Sequence, residues 1–313
     1  MLHEIKPNEH GPLGDEMASA VSTCVHCGFC LAACPTYQEL GQEADSPRGR
    51  IILMKEVLEG TLPLEEAVEH IDPCLGCLAC EPACPSGVPY RDLISPFRSL
   101  TESKRKRTLG DRLRRTLAQL TLPYPRRFRL AAKTGGIAKK FSFFVPGSLR
   151  VMLDLLPSRI PESQTWKEIN PAIGIRRARV ALLTGCAQSV LDPDINTATI
   201  DVLNRNGVEV IVPQHQSCCG ALSWHVGNLK QAQKFAAMNL DAFPTDVDAI
   251  VTNAAGCGSG MDEYHLILKG TKDEQRAIAF RDKVIDVSAF LVKLGDLQPV
   301  ADSGNETKVA YHD

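Results

Sequence analysis
The sequence predicts an α+β chain, with a mainly α-helical N-terminal domain followed by an α/β domain on a parallel sheet. Three observations predict it. A cysteine run occurs twice, as Cys24-x2-Cys27-x2-Cys30-x3-Cys34-Pro35 and Cys74-x2-Cys77-x2-Cys80-x3-Cys84-Pro85. From Arg179 onward, short apolar runs alternate with stretches of helical period, as strands joined by crossover helices do. Between these regions, residues 101–180 carry 19 Lys/Arg against 5 Asp/Glu. The rest of the chain carries 16 against 32, so the formal net charge of −2 hides a strongly basic segment.

Composition narrows the class. The 313 residues are ample for a buried core, and at about 150 residues per domain they imply two domains. The 12 cysteines are therefore not staples for a small fold, and they are too few for a disulfide scaffold of this length. No apolar stretch reaches the roughly 18 residues of a membrane-crossing helix. The opening MLHEIKPNEHGPLGDEM lacks a basic-then-apolar leader, so a reducing, cytoplasmic compartment is expected. No nucleic-acid partner is expected. Thiol chemistry remains.

Residues 1–100 hold both cysteine runs. Each is a full bacterial ferredoxin run, in which three thiolates at x2 spacing wrap one iron–sulfur cluster and the fourth reaches the neighbouring cluster. The expected cofactors are therefore two [4Fe-4S] clusters, one on Cys24, Cys27, Cys30 and Cys84, the other on Cys74, Cys77, Cys80 and Cys34. Structural zinc uses two separated cysteine pairs and c-type haem needs CxxCH, and neither pattern fits. Gly28 and Gly76 let the backbone approach the sulfurs. His26 reads as a hydrogen-bonding or packing residue. Ile51–Leu58 reads as a helix between the two halves.

Residues 101–175 read as a basic, proline-rich connector with Pro123, Pro125, Pro146, Pro157, Pro161 and Pro171. Helical pieces are expected over Leu109–Leu120 and Ser148–Leu156, with Phe141, Phe143 and Phe144 on one of them. Two readings stand side by side. In one the segment packs on its neighbours. In the other it offers a basic amphipathic surface to anionic lipid or an acidic partner.

Residues 176–300 read as a β/α domain. Strands are expected at Arg179–Thr184, Val208–Val212 and Ala249–Thr252, and helices at Pro193–Asn206 and Asn228–Phe243. Cys186, Cys218, Cys219 and Cys257 all follow these strands, at the end of the sheet where ligands of open α/β folds gather. The four thiols are candidates for a further cluster or metal, with ordinary buried cysteines as the alternative. His215, Trp224 and His225 read as packing residues. Lys308-Val309-Ala310 repeats Arg179-Val180-Ala181, so residues 305–313 are expected to begin a second, truncated cysteine-rich repeat.

These motifs resemble the iron–sulfur subunit of glycolate oxidase. The resemblance rests on CVHCGFCLAACPTYQELGQEADSPRGRI around the first run, on Thr184-Gly185-Cys186-Ala187-Gln188, on Cys218-Cys219-Gly220-Ala221 and on Ala255-Gly256-Cys257-Gly258. It implies an electron-transfer subunit without substrate turnover or catalytic residues of its own. Flavoprotein subunits would oxidise glycolate or another 2-hydroxy acid, and electrons would pass through the clusters toward quinone, with peripheral contact at the inner face of the cytoplasmic membrane. No glycine fingerprint for a nucleotide follows any strand here, which agrees with a flavin held elsewhere. The same layout occurs in iron–sulfur subunits of lactate utilisation, of anaerobic glycerol-3-phosphate dehydrogenase and of heterodisulfide reductase. The last uses a CxxC where this chain has Cys257-Gly258-Ser259-Gly260, which weakens the disulfide-reducing alternative.

Overall fold
A computed structural model describes residues 1–139, 147–157 and 159–298. The N-terminal unit is helical, with α1 (Gly14–Thr23), α2 (Pro35–Leu40), α3 (Pro47–Glu59), α4 (Leu64–Ile71) and α5 (Arg91–Thr101). Prolines open α2 and α3, where an absent N–H loses no helical bond. The Ser46 hydroxyl caps α3 by accepting from the Gly49 amide, and Gly60 ends it in the left-handed conformation. Met17, Val21, Met54, Ile71, Leu93 and Phe97 close the core between these helices. The helix expected over Ile51–Leu58 is α3, and its first turn stands between the two cysteine loops.

The described part of the basic segment forms α6 (Leu109–Thr121), α7 (Pro125–Ala138) and α8 (Gly147–Asp154). Phe141, Phe143 and Phe144 lie outside the described residues. The centre of the basic run is built into the fold: the Arg105 and Arg107 side chains are 3% and 11% exposed and pair with Asp72, just past α4. Arg107 also pairs with Glu102 and Asp111. Lys104 and Lys106 stay exposed. No helix among the described residues is long and apolar enough to cross a membrane.

The C-terminal unit is a five-stranded sheet, β1 (Ile169–Asn170), β2 (Ala178–Leu182), β3 (Val208–Ile211), β4 (Ala249–Thr252) and β5 (Val284–Asp286), in the order β1-β3-β2-β4-β5. β2 pairs in parallel with β3 and β4, β4 with β5, and only β1 is antiparallel. The three expected strands are β2, β3 and β4. The edge strands were not expected: β1 is a two-residue Ile-Asn pair inside the stretch read as connector, too short to show alternation. Helices α9 (Gln188–Leu191), α10 (Asp194–Arg205), α11 (Ala221–His225), α12 (Leu229–Ala242), α13 (Ala255–Asp262), α14 (Tyr264–Ile267), α15 (Glu274–Arg281) and α16 (Val287–Leu294) complete the unit. Strand alternation divides the core: Ala181, Ile211 and Ile250 face one side, while Val180, Leu182, Val210 and Val251 face the other. Residues 305–313, expected to open a second repeat, lie outside the described residues.

Candidate metal centres
The two cysteine loops share one backbone course. Cys24 ends α1 and Cys34 precedes α2, so the first three thiols lie in a loop and the fourth at a helix entrance. Turn bonds from Leu31 N to the Gly28 carbonyl (3.0 Å) and from Cys34 N to the Leu31 carbonyl (3.1 Å) curl the loop. The second loop repeats them from Glu81 to Leu78 (2.9 Å) and from Cys84 to Glu81 (3.0 Å). Both loops are left-handed at the same two positions: φ is 58° at His26 and 65° at Gly76, then 86° at Gly28 and 59° at Leu78. Each loop supplies glycine at one position and bears strain at the other, at about 1–2 kcal/mol for a non-glycine residue. At Gly28 a Cβ would also stand 2.6 Å from Arg48 Nη1.

The loops enclose two adjoining cavities. Cys24, Cys27, Cys30 and Cys84 line one, and Cys34, Cys74, Cys77 and Cys80 line the other. Cys80, Pro47 and Tyr90 line both, forming a shared wall. Burial pushes the Cys80 and Cys30 thiols upward, so neither ionises readily without a cation to bind.

Two arginines of α3 supply positive charge that the sequence reading did not single out. Arg48 lines the first cavity, donates to the His26 carbonyl at 3.0 Å and pairs with Glu43 at 2.6 Å. Its hydrogen bond holds the Glu43 carboxyl below the usual range. Arg50 lines the second cavity and is 1% exposed. It donates to Thr36 Oγ1 at 2.9 Å and to the His70 carbonyl at 2.6 Å, and lies 3.8 Å from Cys34 Sγ. Buried Tyr90 places its hydroxyl 3.8 Å from Cys74 Sγ. Five thiols line the first cavity and four the second, with Cys80 common to both, and with a cation beside each they fit thiolate-ligated clusters of net negative charge. His26 Nε2 lies 3.1 Å from Met1 Sδ, beside the first cavity.

The cysteines of the β/α unit also converge. Cys186 Sγ donates to Cys218 Sγ at 3.3 Å, and buried Cys219 lies beside them. The Cys186 thiol and the Gly220 amide favour charge on Cys218 and lower its pKa, while donation to Cys218 holds the Cys186 thiol protonated. A cavity opens on Cys186 and Cys218, lined also by Pro123, Tyr124 and Pro125. The donors are soft thiols, but among the described residues no three or more of them are gathered as a metal ion would need.

Gly260 stands where the disulfide-reducing pattern would have its last cysteine. A Cβ there would lie 2.4 Å from the Ala221 Cβ and 3.0 Å from its Cα, because α13 crosses α11 at this point. A fifth thiol has no room. Of the residues read as packing, Trp224 is fully buried and donates to the Glu263 carboxylate, and His225 Nδ1 faces Ser95 Oγ at 3.3 Å. His215 is exposed.

The helical cysteine unit and the cysteine-rich sheet unit define an iron–sulfur protein. Residues 20–88 match the 4Fe-4S dicluster domain family and residues 180–262 match the cysteine-rich domain family. The chain is 36% identical over 307 residues to the glycolate oxidase iron-sulfur subunit of Escherichia coli K12, covering 95% of this chain and 71% of that one. It is 39% identical over 290 residues to the "Probable glycolate oxidase iron-sulfur subunit" of Bacillus subtilis, covering 87% of this chain and 65% of that one. Lactate utilization protein A of Oceanobacillus iheyensis is 33% identical over 137 residues, 43% of this chain and 54% of that one. No solved structure matches. The chain belongs to the family of glycolate oxidase iron–sulfur subunits and carries two [4Fe-4S] clusters in its dicluster domain.

Proposed function
We propose that this chain is an electron-transfer subunit of a flavin-dependent 2-hydroxy acid oxidase, with glycolate as the substrate of the whole complex. Flavin-bearing partner subunits would deliver the electrons, and quinone at the membrane would receive them. Cys24, Cys27, Cys30 and Cys84 would hold one cluster, and Cys34, Cys74, Cys77 and Cys80 the other. The observation that carries the reading is the shared wall: two thiol-lined cavities lie side by side with Cys80, Pro47 and Tyr90 common to both. When bound, the clusters supply one-electron relay chemistry between two-electron partners. The protein positions the thiolates through two left-handed loops, and Arg48 and Arg50 stabilise added negative charge. Cys186, Cys218, Cys219 and Cys257 would hold a further cluster or metal.

Ligand pairing is tested by iron analysis and electron paramagnetic resonance of anaerobically reconstituted protein. Cys84→Ser should perturb the same reduced signal as Cys24→Ser, and Cys34→Ser the same signal as Cys74→Ser. Perturbation of the opposite signals overturns the pairing. Function is tested in the assembled complex: clusters that stay oxidised after glycolate is added, yet reduce with lactate, move the substrate to lactate. Clusters that respond to neither acid, while the flavin is reduced, refute the relay.

A further inference from the structure
Helix α6 is inverted relative to an ordinary surface helix. Asp111, Arg115 and Gln119, spaced four apart, form the face turned toward the protein. Arg115 pairs with Asp111 at 3.4 Å and reaches the Val226 carbonyl at 3.4 Å. Gln119 accepts from Asn228 Nδ2 at 2.6 Å, and its carbonyl accepts from Gln231 at 3.2 Å. The leucines take the opposite face. Leu109, Leu113, Leu117 and Leu120 are 84%, 61%, 48% and 48% exposed. At 100° per residue they form one stripe, with exposed Arg112 on one flank and exposed Arg114 on the other.

We infer that this face of α6 docks on an anionic lipid surface, with its leucines in the acyl boundary and Arg112 and Arg114 at the headgroups. The charge argues for this occupant: residues 101–180 hold 19 Lys/Arg against 5 Asp/Glu, and neither flanking arginine has an acidic partner among the described residues. On α6, α7 and α8 the one exposed carboxylate among the described residues is Asp154. A second copy of the chain is disfavoured, because a symmetric pairing of these faces sets arginines against arginines. Helices of this pattern lie in the plane of the interface and bind by apolar burial plus attraction to anionic headgroups. The inference refines the proposed delivery of electrons to a membrane pool, but vesicle binding needs no redox chemistry, so the two fail separately.

The test is co-sedimentation of the cluster-reconstituted chain with vesicles of phosphatidylglycerol and phosphatidylcholine, against phosphatidylcholine alone. Binding is expected to the anionic vesicles only, and to weaken as salt rises. Arg112→Gln and Arg114→Gln should each weaken it about fivefold. The double variant Leu113→Glu with Leu117→Glu should weaken it more than tenfold, with iron content and circular dichroism unchanged because both sites are exposed. Absence of wild-type binding, equal binding to neutral vesicles, or variants that bind as wild type each overturn the inference. So does a wild-type oligomer that the leucine variants dissociate, which assigns the face to a protein contact.

Discussion

Replacing Glu263 with glutamine isolates the cost of one buried carboxyl. Glu263 is 0% exposed, its Oε2 accepts from Trp224 Nε1, and its Oε1 has no partner among the described residues. Burial raises its pKa to about 7 from an ordinary 4.5, although Trp224 and Arg91 act in the opposite sense. The unfolded chain releases this proton near pH 4.5 and the folded chain near pH 7. Between those values the folded state binds more protons, so its stability falls as pH rises. At about 1.36 kcal/mol per pH unit, the full penalty is about 3 kcal/mol above pH 7 and vanishes below pH 4.5. Glutamine keeps an acceptor for Trp224 and carries no charge. Anaerobic urea unfolding, followed by far-ultraviolet circular dichroism, should therefore show Glu263→Gln more stable than wild type by about 2–3 kcal/mol near pH 8. Near pH 4 the two should agree within about 0.5 kcal/mol. The same difference at both pH values, or a variant weaker at pH 8, refutes the reasoning, because each would show that charge on Glu263 is not what the fold opposes.

Two further substitutions address the thiol sites. Arg50→Met removes a buried cation beside Cys34 and leaves Asp45, its partner at 3.5 Å, without that charge. A loss of about 3–5 kcal/mol is expected in urea unfolding. The reduction potential of one cluster should also fall in a redox titration, and an unchanged potential would detach Arg50 from the site. Gly260→Cys forces a Cβ to within 2.4 Å of Ala221 Cβ, so a loss of about 1–3 kcal/mol is expected, read as a lower melting temperature. A variant that melts as wild type does would show that α11 and α13 separate freely.

The sequence exposed thiol spacing well and charge geometry poorly. Ligand runs are local, so spacing alone anticipates two cysteine loops, and β2, β3 and β4 are legible because each is an apolar run. The common loop conformation was hidden, since glycine occupies one left-handed position at Gly28 and the other at Gly76, leaving His26 and Leu78 strained. Arg48 and Arg50 carry no periodic signal, and only folding brings α3 between the cavities. The basic run was legible as composition alone. Its arginines separate into buried ties at Arg105 and Arg107, which meet carboxylates distant in sequence, and exposed flanks at Arg112 and Arg114. β1 and β5 are two and three residues long, below the length at which alternation can be recognised.

The contact between the two units has a consequence for any transfer between their thiols. Arg98 donates to the Ile71 and Cys74 carbonyls at 2.7 Å each, gripping the entrance of the second cysteine loop. The same guanidinium donates to the His225 carbonyl at 3.1 Å, at the end of α11, whose other end begins directly after Cys218, Cys219 and Gly220. Gly227 lies so close that a Cβ there would stand 2.6 Å from the Arg98 carbonyl, so backbone meets backbone across the junction. Arg91 and Asp262 close it again at 2.6 Å, joining α5 to α13. Close-packed contacts of this kind do not deform gradually. The spacing between the Cys74 loop and the Cys218–Cys219 thiols is therefore set by α11 together with the Arg98 and Arg91 ties. On the proposed relay, that rigidity suits transfer between fixed sites better than a domain movement that would bring them together.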